Sequence, residues 1–381
     1  MGARASGHRL FANWRIERRP EPKRIGVYRL AAMALGLALA LFLAPIISGA
    51  DPADFYETAW QGTLGTPLGF GNFLSVATPL IIAGRAPPVP RRLGRWYNGN
   101  DGQIQIGAGG ATAGAYTFES MPGELLIPIL FIAGMVGGAL WILIPALARV
   151  MLGVNEILTT FLLNFVANAW LIYWVTNSWL DVNSGGGGIR AKPVPEQAEL
   201  SLLDVNGTFI HWGVIVALVL PFLIWAFLRF SRGGFELTIT GSGGRVGTFS
   251  GINVRRKQIG VMLAGGALAG LAGTIDMLGT IHQYGEGLTN NRGFAAVVIA
   301  VLAGSSPLGV LLIGLVYALL LSGSDAVSVI GVSNELVYCL IGITLLAAAV
   351  GEALGRLRIV HTRTVAAGDS PPESEPQEVP A

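Results

Sequence analysis

Charge is scarce in this chain. Only 13% of its 381 residues are Asp, Glu, Lys or Arg, against about 25% in soluble domains. With 52% hydrophobic residues and a mean hydropathy of +0.58, this excludes an ordinary soluble fold. Cysteine is nearly absent: the single Cys339 lies in an apolar run and cannot form an internal disulfide. The four histidines, His8, His211, His282 and His361, stand far apart. There is no H-E-x-x-H, no paired C-x-x-C and no G-x-x-x-x-G-K-[ST] phosphate loop. Nothing in the sequence calls for a metal, a cofactor or a catalytic residue, and no nucleic acid is expected as a partner. A membrane enzyme built on Glu or Asp is the one catalytic class these absences leave open.

What is abundant is apolar length. Stretches at about 30–47, 69–84, 104–118, 125–148, 157–176, 210–228, 258–281, 294–303, 308–321 and 335–354 are rich in apolar residues. Several reach the ~20 residues that cross the hydrocarbon layer. The expected fold class is therefore all-α, a polytopic membrane helix bundle of about 8–10 segments over residues 30–354. The 104–118 stretch is weak, being Gly/Ala-rich. The 294–303 stretch is too short to span and reads as a re-entrant half helix, which lipid tolerates only when protein buries it. The run at 30–47 reads as an uncleaved first span; Ser48-Gly49-Ala50 also resembles a signal cleavage site, but the basic region before it is long.

Charge placement sets the orientation. Basic residues gather in the tail 1–29, in the 229–257 loop (Arg229, Arg232, Arg245, Arg255, Arg256, Lys257) and after the last span (Arg356, Arg358, Arg363). The positive-inside rule puts all three in the cytoplasm. Six segments separate the first pair of clusters and four the second, so parity agrees, with both termini inside. The 177–209 connection then faces outside and, with Gly185 to Gly188 and two prolines, is expected to be flexible. The tail 355–381, rich in Pro, Glu and Ser beyond Thr364, is expected to be disordered.

Polar residues inside apolar runs are the candidate functional groups. Glu156, Thr160, Asn164 and Asn168 recur every four residues. Each step drifts 40°, so they form a winding stripe on one side of a helix. Such a stripe must face protein or a water-filled path. It reads equally as a translocation pathway for a polar solute or as hydrogen-bonding glue between helices. Asp276, in the outer third of its span, is a further candidate. Gly265, Gly266, Ala269, Gly270 and Gly273 follow small-xxx-small spacing, a close-packing signal. The 229–257 loop, the longest internal cytoplasmic segment, is a candidate docking surface for a cytoplasmic partner.

The stretch Gly153-Val154-Asn155-Glu156-Ile157-Leu158-Thr159-Thr160-Phe161-Leu162-Leu163-Asn164 resembles a motif of nucleoside-type ABC transporter permeases. These belong to the branched-chain amino acid/ribose/nucleoside permease group. Gly234 through Gly273, and Gly293-Phe294 running into Pro307-Leu308-Gly309-Val310, are similar to further segments of that group. The similarity covers roughly residues 70 to 350. It implies a type II-like ABC importer permease: two permease subunits forming the pathway, separate ATPase subunits docking through a short helix near 243–250, and an extracytoplasmic lipoprotein delivering a nucleoside. A bacterial inner-membrane location and contact with membrane lipid follow. With this role, the polar stripe of Glu156, Thr160, Asn164 and Asn168, together with Asp276, is expected to line the pathway, and Gly241, Arg245 and Gly251 to belong to the coupling loop. The sequence departs from the group at 85–103. Arg85-Ala86-Pro87-Pro88-Val89-Pro90-Arg91-Arg92 interrupts an expected helix, and the usual motif survives as Asn98-Gly99-Asn100-Asp101-Gly102-Gln103. The coupling segment is Gly-rich where Ala is usual, which costs helix stability. A sugar or branched-chain amino acid permease of the same group, a proton-coupled carrier using Glu156 and Asp276, and a scaffold without transport are the alternatives.

Overall fold

A computed structural model describes residues 14–18, 25–87, 93, 97–182, 189–205, 207–303 and 306–361. In chain order the helices are α1 (Ile25–Ser48), α2 (Pro52–Trp60), α3 (Pro67–Gly84), α4 (Asn100–Thr117), α5 (Gly123–Leu152), α6 (Glu156–Trp174) and α7 (Gly213–Phe230). Then follow α8 (Arg232–Ser242), α9 (Gly244–Phe249), α10 (Val254–Asp276), α11 (Arg292–Ala303), α12 (Pro307–Ser328) and α13 (Asn334–Arg356). Short π-helical turns extend α2, α6 and α10. Seven helices among the described residues are long and apolar enough to cross a membrane: α1, α3, α5, α6, α7, α10 and α12.

The remaining apolar stretches also fold as helices. α4 has 18 residues, including Asn100, Asp101, Gln103 and Gln105, yet those four side chains are buried. Its polarity is tolerated because protein, not lipid, surrounds it. α11 has only 12 residues, in keeping with a half helix.

The chain forms two compact units, 1–39 with 343–381, and 40–342. In the first, the early turns of α1 meet the late turns of α13 through small residues. A methyl on Gly36 would overlap Ala347, and one on Gly351 would overlap Ala32. Strand β1 (Trp14–Arg18) pairs antiparallel with β6 (Leu357–His361), Trp14 opposite His361 and Arg18 opposite Leu357. Residues 357–361 therefore do not share the disorder expected of the C-terminal tail. The pairing brings residues 14–18 and 357–361 together. The rest of that tail, 362–381, and residues 1–13 lie outside the described residues.

The second unit is organised around α10. Gly266 and Gly270 on α10 meet Gly138 and Gly134 on α5 so closely that a methyl on Gly266, Gly270 or Gly138 would overlap the opposing backbone, and one on Gly134 the Thr274 side chain. Gly273 is equally close to Ile104 on α4, and Gly107 to Gly270. The small-residue spacing in the sequence is thus a three-helix seam, with the matching glycines on α4 and α5. Thr274 donates to the Gly270 carbonyl of its own helix at 3.0 Å and lies 3.5 Å from the Gly107 carbonyl of α4.

The 177–209 connection is more ordered than its composition suggests. Strands β3 (Leu202–Val205) and β4 (Thr208–His211) form a hairpin whose turn needs Gly207 at φ +77°. Strand β2 (Arg190–Pro193) pairs with β5 (Gln283–Gly285), which brings the connections before α7 and after α10 together. The expectation of flexibility rested on Gly185 to Gly188, which fall outside the described residues. Among the described residues the fold is thus helical with three two-stranded pairs added.

Candidate functional site

Polar side chains converge where the start of α4, the middle of α6, the end of α10 and the start of α11 meet. Asn98 and Gly99 lead into α4 with irregular backbone. Asn164 clamps this entry from α6: its Nδ2 donates to the Asn98 carbonyl at 2.9 Å and its Oδ1 accepts from the Gly102 amide at 2.9 Å. The Asn98 amide donates to Thr160 Oγ1 at 3.0 Å. A backbone without helical partners inside a membrane must be satisfied this way. Thr160 and Asn164 are both buried, so their hydrogen bonds go to protein. Residues 88–92 and 94–96 of the interrupted region lie outside the described residues.

Asp101 then caps α11. Its Oδ1 accepts from the Gly293 amide at 3.2 Å, at the first turn of the half helix. A carboxylate there complements the helix dipole and the free amides. Arg292, at the start of the same helix, pairs with buried Asp276 at the end of α10. Asp101 and Arg292 were not candidates in the sequence. Asp101 belongs to the surviving Asn98–Gln103 motif, which was the signal available; Arg292 has no local pattern that marks it.

The stripe of four on α6 does not stay together. Glu156, Thr160 and Asn164 lie on the buried face with Ala167 and Leu171, whereas Asn168 is exposed. The 40° drift per step has carried Asn168 off the packed face. It stands on a flank with Phe161 and Phe165, whose rings meet edge-on at 5.4 Å. Phe161 also meets Phe294 of α11 at 6.3 Å. Phe165 is 63% exposed. Glu156 sits at the start of α6 in an ion pair with Arg149 at 3.0 Å. Arg149 also donates to the Gly153 and Val154 carbonyls, so the pair staples the α5–α6 turn. Both carboxylates considered as proton sites, Glu156 and Asp276, are therefore ion-paired.

The 229–257 loop folds as α8 and α9, and α9 falls where the sequence placed a short helix. Gly241, Arg245 and Gly251 are all exposed. Gly251 has φ +73° and ends α9, a position that favours glycine. The segment presents Val246 and, at 91% exposure, Phe249. Glu236 ties α8 to the start of α10, pairing with Lys257 at 2.5 Å and Arg232 at 3.4 Å. The Lys257 partner holds its carboxyl below the usual glutamate range.

A search of known proteins places these features in context. The family model described as "Branched-chain amino acid transport system / permease component" matches residues 99–349. The glucose ABC transporter permease protein TsgB13 of Haloferax volcanii is 32% identical over 342 residues, 87% of this chain and 87% of its own length. The guanosine ABC transporter permease protein NupP of Bacillus subtilis is 29% identical over 327 residues, 85% and 93% of the two chains. The nucleoside ABC transporter permease protein NupB of Lactococcus lactis is 27% identical over 315 residues, 81% and 86%.

Proposed function

Because the chain belongs to the branched-chain amino acid transport permease family, and so is the multi-pass, non-catalytic subunit of an ABC importer, we propose that it carries nucleosides. The observation that carries this reading is the flank of α6. An exposed amide, Asn168, shares by helical spacing one flank of α6 with Phe161 and Phe165, and Phe161 in turn meets Phe294 of α11. An amide in the middle of an apolar span has no partner in lipid. It suits the polar edge of a passing base or sugar, while aromatic rings stack on a base at about 1–3 kcal/mol. The similarity to guanosine and nucleoside permeases supports the same substrate class.

In this reading Asn168 lines the pathway and Glu156 lies at its cytoplasmic mouth. Thr160, Asn164 and Asp276 hold its wall rigid through the contacts above. A second permease subunit covers the exposed face of α6. The ATPase docks on α8 and α9, around Arg245, with Gly241 and Gly251 shaping the loop. The lipoprotein seats on the opposite face, near the acidic pocket of Glu124, Glu196 and Glu199. The protein lies in the bacterial cytoplasmic membrane with both termini inside.

Glucose uptake is the second reading, favoured by the similarity to TsgB13. Competition decides between them. Uptake of labelled guanosine by membrane vesicles holding the whole importer should be abolished by excess unlabelled nucleoside and unaffected by excess glucose. No guanosine uptake, with saturable uptake of labelled glucose by the same vesicles, would assign the chain to sugars.

A further inference from the structure

A groove of about 740 Å³ opens between α5, α7, α8 and α10, away from the α6 flank. Its depth is apolar, formed by Met135, Ile224, Phe227, Val261 and Leu268. Its mouth is cationic, formed by Arg256 and Lys257, and no carboxylate lines it. Lys257 is shared with Glu236, but Arg256 is exposed and has no ion pair among the described residues. The surrounding basic residues Arg229 and Arg255 add to the field. From Asn253 to Leu268 the groove runs along α10 for about 22 Å at 1.5 Å per residue. That is about half of a bilayer counted with its headgroups. Cations at one end and apolar lining over the length of one leaflet match a single molecule with an anionic head and an acyl chain.

We propose that this groove is a binding site for an anionic phospholipid of the cytoplasmic leaflet. The phosphate sits at Arg256 and Lys257, and one acyl chain lies along Val261, Ala264 and Leu268. The lipid would brace α8, and with it the loop carrying α9, against α10. The leaflet assignment rests on the orientation proposed above; the lipid preference itself does not.

Native mass spectrometry of the full-length, delipidated chain titrated with phosphatidylglycerol or phosphatidylethanolamine tests this. The native chain should prefer phosphatidylglycerol. Arg256→Gln, which breaks no ion pair among the described residues, should weaken it about fivefold, and Arg256→Gln with Lys257→Gln about thirtyfold, each cation at the membrane surface contributing separately. Ala264→Trp, which fills the groove and leaves the cations intact, should weaken both lipids. Equal affinity for the two lipids, or unchanged phosphatidylglycerol binding in Arg256→Gln, would overturn the site. So would loss of ATPase co-purification in Arg256→Gln with lipid binding intact, since the cation would then serve a protein partner.

Discussion

α10 and α6 are both apolar spans that carry polar groups, but they are built for opposite ends. α10 is sealed: it is covered by α4 and α5 through glycine-to-backbone contacts, and its carboxylate is tied to Arg292. α6 is packed along one face only, while Phe165, Trp170 and Tyr173 stand exposed. The difference teaches that a polar residue in a span is not by itself a functional one. Where the partner is protein backbone, as for Asn164, the polar group holds the fold. Where the side chain is left open, as for Asn168, it is available to a solute or to another subunit.

Breaking the seam should have the largest effect. Gly270→Leu drives a side chain into the α5 backbone, so folded, monodisperse protein should be lost altogether; size-exclusion chromatography after detergent extraction reads this. Asp276→Asn leaves the half-buried Arg292 beside a neutral amide and should cost about 3 kcal/mol in denaturant unfolding. Equal stability would show that the sealed region tolerates an unpaired charge. Asn164→Leu strands the Asn98 carbonyl and the Gly102 amide. A loss of about 1–2 kcal/mol is expected, and Asn168→Leu should lose less than about 0.5 kcal/mol. Identical costs for the two would erase the contrast between the faces of α6.

The smallest effect concerns the loop. The Glu236 carboxyl is held below its usual value, so the folded state favours its charged form. The contribution of the pair is present above pH 4.5, the ordinary value, and is lost as pH falls through the lowered one. Hydrogen exchange in α8 should therefore be unchanged between pH 7 and 5 once intrinsic rates are removed, and should accelerate at lower pH. Acceleration already between pH 7 and 5 would contradict the pairing.

Much of the fold was legible because lipid imposes simple demands. Apolar length located the membrane-spanning helices, and the basic clusters supplied the orientation proposed above. Gly265 to Gly273 announced a close approach, although the partner glycines on α4 and α5 could not be read, because helix pairing is a tertiary choice. Part of the polar site was legible too. The four-residue spacing found the α6 stripe, but periodicity alone could not tell that the drift would part Asn168 from Asn164. Arg292 was invisible because its importance comes from Asp276, sixteen residues away. The strands β1 and β6 were missed because their pairing joins opposite ends of the chain and leaves no local hairpin signal.

The most direct test compares uptake in proteoliposomes containing the ATPase and the binding lipoprotein, normalised to folded permease. Asn168→Leu should lower guanosine uptake about tenfold, the loss of one hydrogen bond to the moving solute, with unfolding midpoint unchanged. Full uptake by Asn168→Leu at native stability would show that the open flank of α6 is not the path.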